Sequence, residues 1–345
     1  MSEWSDAEPP SHRPPILVAH NLHKAYGQRP ALRGVSFMLE SGHVLGFLGP
    51  NGAGKTTAIR ILTTILVPDV GDFQVNGIGA AQAEEIRRLI GVLPERLGLP
   101  KHLTGIEYLT YFGQLYGQSA ARARQQALRL LDEVGLANRA RSLIGTYSHG
   151  MRQRLGIARA LVNNPAVVFL DEPTLGLDPR GQEELLTLVR RIARERQAGI
   201  VLCSHLLSEV EVVCDDVLIL NAGQVVAAGP VTEVVGHGRR QELQASVRRI
   251  QVPAHLMNQA QHVLTALPEV LYATPTGDTA GWIRVQLALP TNLMDGRQGV
   301  LPADTHLNNR ILAALIAAEI PVLSFGREGG RLHDVFLQLT GEAIP

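Results

Sequence analysis

Two cysteines in 345 residues, Cys203 and Cys214, leave no disulfide framework and no zinc-type ligand spacing to consider. Both lie in apolar surroundings, where cysteine serves as a small core-filling residue, and the usage fits a reduced, cytosolic chain. Net charge is absent as well: Lys plus Arg total 32, and so do Asp plus Glu. No overall field is available to hold nucleic acid or an anionic bilayer, so nucleic-acid binding is disfavoured from the outset. Long apolar runs are also missing. The best, near Ala166 and Ile200, are strand-length, far short of the roughly 20 residues that a membrane-spanning helix needs. Any membrane role must come through a partner. Met1 to Pro15 is rich in proline, serine and acidic residues without the apolar core of a signal peptide, and reads as a disordered tail.

Length alone suggests two units, each able to bury its own core. Over residues 16–230, short β-branched runs alternate with helix-period segments, the pattern of a parallel sheet flanked by helices. Val44 to Leu48 reads as a buried strand; the segment after Lys55 reads as a helix, with Ile59, Leu62 and Leu66 on one side until Pro68 ends it. Thr104 and Glu107 fit a capping box for a helix carrying Leu109, Phe112 and Tyr116. Ala127, Leu130, Leu131 and Val134 mark another helical face. Asp178 followed by Pro179 supplies an N-cap and a first-turn proline for a helix with Leu185, Leu188, Val189 and Ile192 inside.

Residues 240–345 read as a smaller α+β unit. From Ser246 to Phe325 the order is strand, helix, strand, strand, helix, strand, which resembles a split βαβ unit. A loop over Pro290 to His306 and a last helix from Leu332 to Thr340 complete it. No titratable cluster there points to catalysis.

The chemistry sits in the first unit. Gly49, Pro50, Asn51, Gly52, Ala53, Gly54, Lys55, Thr56 match the phosphate-loop pattern, in the required context of a strand before and a helix after. Glycines let successive N–H groups turn inward, the helix N-terminus adds partial positive charge, and Lys55 reaches the outer phosphates. Thr57 follows in the same turn, and Thr56 is placed to ligate magnesium. A glycine turn before a helix can be a mere connection, but the Gly-Lys-Thr ending selects the phosphate site. The apolar run Ala166 to Leu170 then ends in Asp171 and Glu172, two carboxylates at the tip of a strand, where open α/β sheets bind ligands. Asp171 is placed to hold magnesium through water, and Glu172 to orient or deprotonate the water that attacks the γ-phosphate of ATP.

With these motifs in this order, the chain resembles the ATPase subunits of ABC transporters, members of the P-loop NTPase class. Tyr147, Ser148, His149, Gly150 and Met151 stand where that family keeps its signature, with His149 and Met151 departing from its commonest form, Leu-Ser-Gly-Gly-Gln. His149 reads as a tolerated surface substitution. The resemblance implies that Ser148 and Gly150 bind the γ-phosphate of ATP held by a second subunit. It further implies that Tyr26 stacks on adenine, although a core tyrosine is a serious competitor. Asp178 fits a loop that crosses the dimer interface and is equally an N-cap, while His205 fits the contact to the γ-phosphate. Glu95 replaces the family's usual glutamine as a magnesium ligand, with its charge compensated by metal or by Arg96.

The implied protein is an ATP-hydrolysing subunit, a homodimer on the cytoplasmic face of the membrane, driving export through a separate permease docked along Leu97 to Gly117. Within the family, Tyr-Ser-x-Gly-Met and an ending like Asp334 to Gly341 resemble exporter ATPases with a small C-terminal domain, a domain that stabilises the dimer or regulates it. Soluble relatives acting without a permease are the alternative. The interval from Lys55 to Ser148 is too short for the coiled coils of repair proteins, and translation factors carry two ATPase cores where this chain has one.

Overall fold

The computed structural model describes residues 15–204, 206–235, 246–276, 281–287, 303–327, 332 and 336. They divide into two units, one running to Val234 and including Phe336, the other within 235–335. The sequence boundary put everything after 240 in the accessory unit. Phe336 is fully buried and groups with the first unit.

The first unit opens with strands β1 (Pro15–Tyr26) and β2 (Arg29–Glu40). β3 (Val44–Leu48) is buried at all five positions and leads through the glycine-rich turn into α1 (Lys55–Leu62). Then come β4 (Val70–Val75), β5 (Ile78–Gly79), α2 (Ala83–Leu89) and β6 (Ile90–Leu93). Three helices follow, α3 (Gly105–Leu115), α4 (Ala120–Glu133) and α5 (His149–Ala160). β7 (Val167–Asp171), α6 (Pro179–Arg196), β8 (Gly199–Cys203) and α7 (Leu207–Val213) lead to β9 (Asp216–Asn221) and β10 (Gln224–Pro230).

One sheet has the order β10-β9-β3-β8-β7-β6 and is parallel except for β10. The expected parallel sheet is thus present. The start of the chain departs from it, because β2-β1-β4-β5 form a separate antiparallel sheet. A tight turn with Gly27 at φ +61° joins β1 to β2, and only antiparallel strands can be joined so closely. The two sheets and α1 enclose one core in which the Phe37 and Phe47 rings meet edge-on, 5.1 Å between centroids, beside Ile61, Phe73 and Phe169.

Helix α1 is shorter than its apolar spacing predicts. The Thr63 hydroxyl donates to the Ile59 carbonyl at 2.7 Å and Thr64 takes φ +62°, so Leu66 packs on the core from outside the helix. The capping box forms as read: the Glu107 N–H donates to Thr104 Oγ1 at 3.3 Å, and the Thr104 N–H to Glu107 Oε2 at 2.9 Å. Asp178 stands at the N-cap of α6 with Pro179 in the first turn, but its side chain makes no capping bond.

The second unit comprises β11 (Ser246–Gln251), α8 (Met257–Thr265), β12 (Val270–Pro275), β13 (Trp282–Leu287), α9 (Ala303–Ala317) and β14 (Ser324–Arg327). Its antiparallel order β12-β13-β11-β14 is that of a split βαβ sheet, closed on Ile250, Leu264, Val285 and Leu315. Helix begins at Ala303, inside the stretch read as loop to His306. Residues 1–14, 290–302 and 337–341 lie outside the described residues, and so do most of the expected last helix and His205. No helix among the described residues is long and apolar enough to cross a membrane.

Candidate functional site

Because β3, β7 and β8 run parallel, their C-terminal ends open on one edge of the sheet. Two glycines fix the loop after β3. Gly49 has φ +153° and a Cβ there would lie 2.4 Å from the Leu220 carbonyl oxygen; Gly54 has φ +108° and a Cβ would lie 2.6 Å from that of Ala31. Any side chain would collide with backbone as well as strain the dihedral. Gly54 caps α1 without a side-chain bond, so the first-turn N–H groups and the positive end of the helix dipole face the loop. Lys55 Nζ donates to the Pro50 carbonyl at 3.1 Å and also to that of Gly49. Burial pulls its ammonium below the usual lysine range, and Cys203, Glu172 and Asp171 oppose that fall.

A cavity of about 870 Å³ lies over this loop. Gly49, Pro50, Asn51, Gly52, Ala53, Gly54, Lys55, Thr56 and Thr57 line it together with Glu95, Asp171 and Glu172. Residues from four separate elements therefore meet in one space of ligand size. Burial raises the Asp171 carboxyl above the usual range, and the negative Glu172 and Glu95 raise it further; Lys55 and Arg60 hold it down in part. Carboxylates crowded beside a hydroxyl, that of Thr56, suit a hard dication of the magnesium kind, which keeps several waters and shares phosphate oxygens. Among the described residues no group of three His, Cys, Asp or Glu side chains is set to hold a metal ion.

Glu172 has φ +48°, the left-handed region that a non-glycine residue seldom occupies. Its N–H donates to the Cys203 carbonyl at 2.9 Å, which fixes the turn to β8. Strain of this sort persists where surrounding structure over-determines it and concentrates at functional sites.

Ser148 is elsewhere. It caps α5, accepting from the Met151 N–H at 3.3 Å, and neither it nor Gly150 lines the cavity. Tyr26 ends β1 and is 49% exposed, which removes the core-tyrosine reading without bringing it into the cavity lining. Asp178 is likewise outside the lining. His149, read as a tolerated surface substitution, is exposed and donates from Nε2 to the Leu175 carbonyl at 2.8 Å.

Sequence reasoning missed Arg60, which lines the cavity. Its position four residues after Thr56 puts both on one face of α1, and that spacing was the available signal. It missed Arg159 as well, whose contacts reach back to Val92 and Tyr108 and leave no trace in local spacing.

Comparison with known proteins gives a match of residues 32–175 to the family model described as ABC transporter. The daunorubicin/doxorubicin resistance ATP-binding protein DrrA of Streptomyces peucetius is 35% identical over 327 residues, 94% of this chain and 92% of the relative. The linearmycin resistance ATP-binding protein LnrL of Bacillus subtilis (strain 168) is 36% identical over 220 residues, 64% of this chain and 70% of the relative. A dimeric ATP-binding cassette solved in a post-hydrolysis state with ADP and Pi is 26% identical, with a TM-score of 0.56 over 62% of this chain and 98% of that one.

Proposed function

The chain belongs to the ATP-binding subunits of ABC transporters, and from that premise we propose that two copies of it close on ATP and drive export through a separate membrane permease. It is an ATPase of the P-loop class. The observation that carries the reading is the meeting of the phosphate loop, Glu95, Asp171 and Glu172 in one cavity from which Ser148 and Gly150 are missing. A phosphate site of this kind is incomplete within one subunit.

In this reading Lys55 and the N–H groups of the loop hold the β- and γ-phosphates, and Tyr26 stacks on the adenine. Thr56, Glu95 and Asp171 hold magnesium, which when bound neutralises charge on the phosphates. Glu172 accepts a proton from the attacking water, whose oxygen bonds to the γ-phosphorus as the bond to the ADP oxygen breaks. His205 orients that water. Ser148 and Gly150 at the start of α5 present backbone N–H groups and a hydroxyl to ATP on the other copy, and Asp178 lies in the loop between the two. Closure on ATP and reopening after hydrolysis then move the permease between its two faces.

Export is supported by the relatives, whose names are those of drug-resistance ATP-binding proteins. A permease partner is supported by α3, which exposes Tyr111 and Leu115 one turn apart. With such a partner the chain sits on the cytoplasmic face of the membrane. We assign the ATP chemistry to residues 16–230 and an accessory role to the split βαβ sheet of the second unit.

The test is ATP turnover by the purified chain beside Glu172→Gln. Loss of a general base lowers turnover by about 10²- to 10⁴-fold; unchanged turnover would remove Glu172 from the mechanism.

A further inference from the structure

The His149 imidazole reaches across from the first residue of α5 to the loop between β7 and α6. Its Nε2–H donates to the Leu175 carbonyl at 2.8 Å. A carbonyl can only accept, so this bond requires a proton on Nε2. Leu175 in turn donates its N–H to the Glu172 carbonyl at 3.3 Å, and the Leu177 N–H donates to the Thr174 carbonyl at 3.0 Å. Two hydrogen bonds through one residue, Leu175, thus connect the backbone of Glu172 to the start of α5.

The packing follows the same path. Gly176 has φ +76°, and a Cβ there would lie 3.5 Å from His149 Nε2. A Cβ on Gly150 would meet Leu177 Cδ2, also at 3.5 Å. One helical turn further on, Arg154 Nη2 pairs with Glu184 of α6 at 2.9 Å. The start of α5 is therefore tied to the 172–178 loop by His149, and α5 is tied to α6 by Arg154; the first tie exists only because position 149 carries a side chain.

We propose that His149 is a positioning residue that couples the two ATP sites of the dimer. The inference rests on the sandwich reading above. Each subunit lends Ser148 and Gly150 to its partner's ATP, while its own ATP lies against its own Glu172. The His149 to Leu175 bond makes these two assignments one rigid piece. When the partner's ATP draws in the start of α5, the loop carrying Glu172 is drawn with it, so closing one site sets the catalytic turn of the other. A glycine at this position removes this tie and leaves the Arg154 to Glu184 pair between α5 and α6.

The experiment compares ATP turnover, as a function of ATP concentration, for wild type, His149→Ala, His149→Gly and His149→Gln, with thermal unfolding of each. Glutamine carries an N–H donor on a flexible chain that reaches the same carbonyl; alanine and glycine do not. The expected result is a Hill coefficient above 1 in wild type that falls to 1 in the alanine and glycine variants. Their kcat falls about three- to tenfold, the loss of one neutral hydrogen bond, with unfolding unchanged. Glutamine restores both. Unchanged cooperativity in His149→Ala overturns the proposal, and so does an equal loss in all three variants accompanied by lowered unfolding temperatures, since that marks a merely structural contact. Ultracentrifugation of Glu172→Gln with magnesium and ATP separates the two readings: no dimer sinks the sandwich itself, whereas a normal dimer with unaltered cooperativity in the His149 variants sinks only the coupling.

Discussion

Arg159 Nη2 donates to the Val92 carbonyl at 2.9 Å, three residues before Glu95. Its Nη1 meets the Tyr108 hydroxyl at 3.4 Å, and the guanidinium lies 5.7 Å from the Phe112 ring centroid. One side chain of α5 thereby joins the strand that delivers Glu95 to the helix that exposes Tyr111. Replacing Arg159 with alanine is expected to cost about 1–3 kcal/mol, two hydrogen bonds from a charged group, one of them long, with a cation–π contact. Urea unfolding measures it. Lysine at 159 restores only part, because an ammonium cannot serve the carbonyl, the hydroxyl and the ring together.

The loop glycines give a second prediction. Gly54→Ala places a Cβ 2.6 Å from the Ala31 carbonyl oxygen, closer than the two atoms can approach, and holds alanine at φ +108°. The strand β2 or the loop must shift, which is expected to destabilise the chain by about 1–3 kcal/mol. Nucleotide binding, followed by fluorescent ATP titration, is expected to fall further than stability does, because the displaced N–H groups are the ones that face the phosphates.

Asp171 links stability to pH. Burial, Glu172 and Glu95 raise its carboxyl in the folded chain above the unfolded value. Between those two values the folded state binds more protons than the unfolded one, so stability falls as pH rises through that window and the full penalty remains above it. Asp171→Asn is therefore expected to unfold at a higher temperature than wild type at neutral pH without nucleotide. The difference should shrink as pH falls below the ordinary carboxylate range. Magnesium and ATP together should stabilise wild type and not the asparagine variant. A variant less stable than wild type at neutral pH would contradict this account of the site.

Much of the architecture was written locally. Strand, glycine turn and helix around Lys55, the Thr104 and Glu107 capping box, and the βαββαβ order of the second unit each depend on residues close in sequence, and each appears in the structure. The loop glycines and the Asp171 and Glu172 pair were legible for the same reason. What escaped is set by contacts between distant segments. The reach of Arg159 to Val92 and of His149 to Leu175 depends on how helices lie on strands, which no spacing rule encodes. The left-handed backbone at Glu172 is similar: nothing in the run Phe169 to Pro173 demands it, and the bond from its N–H to Cys203 on the neighbouring strand fixes it.

The central claim is that one subunit cannot complete its own ATP site. Its most direct test is the oligomeric state of Glu172→Gln with magnesium and ATP, by analytical ultracentrifugation, alone and combined with Ser148→Arg. The glutamine variant is expected to form a stable dimer holding two ATP, and the added arginine to return it to monomers that still bind ATP. A chain that binds ATP and stays monomeric, or a dimer indifferent to arginine at position 148, would contradict the sandwich.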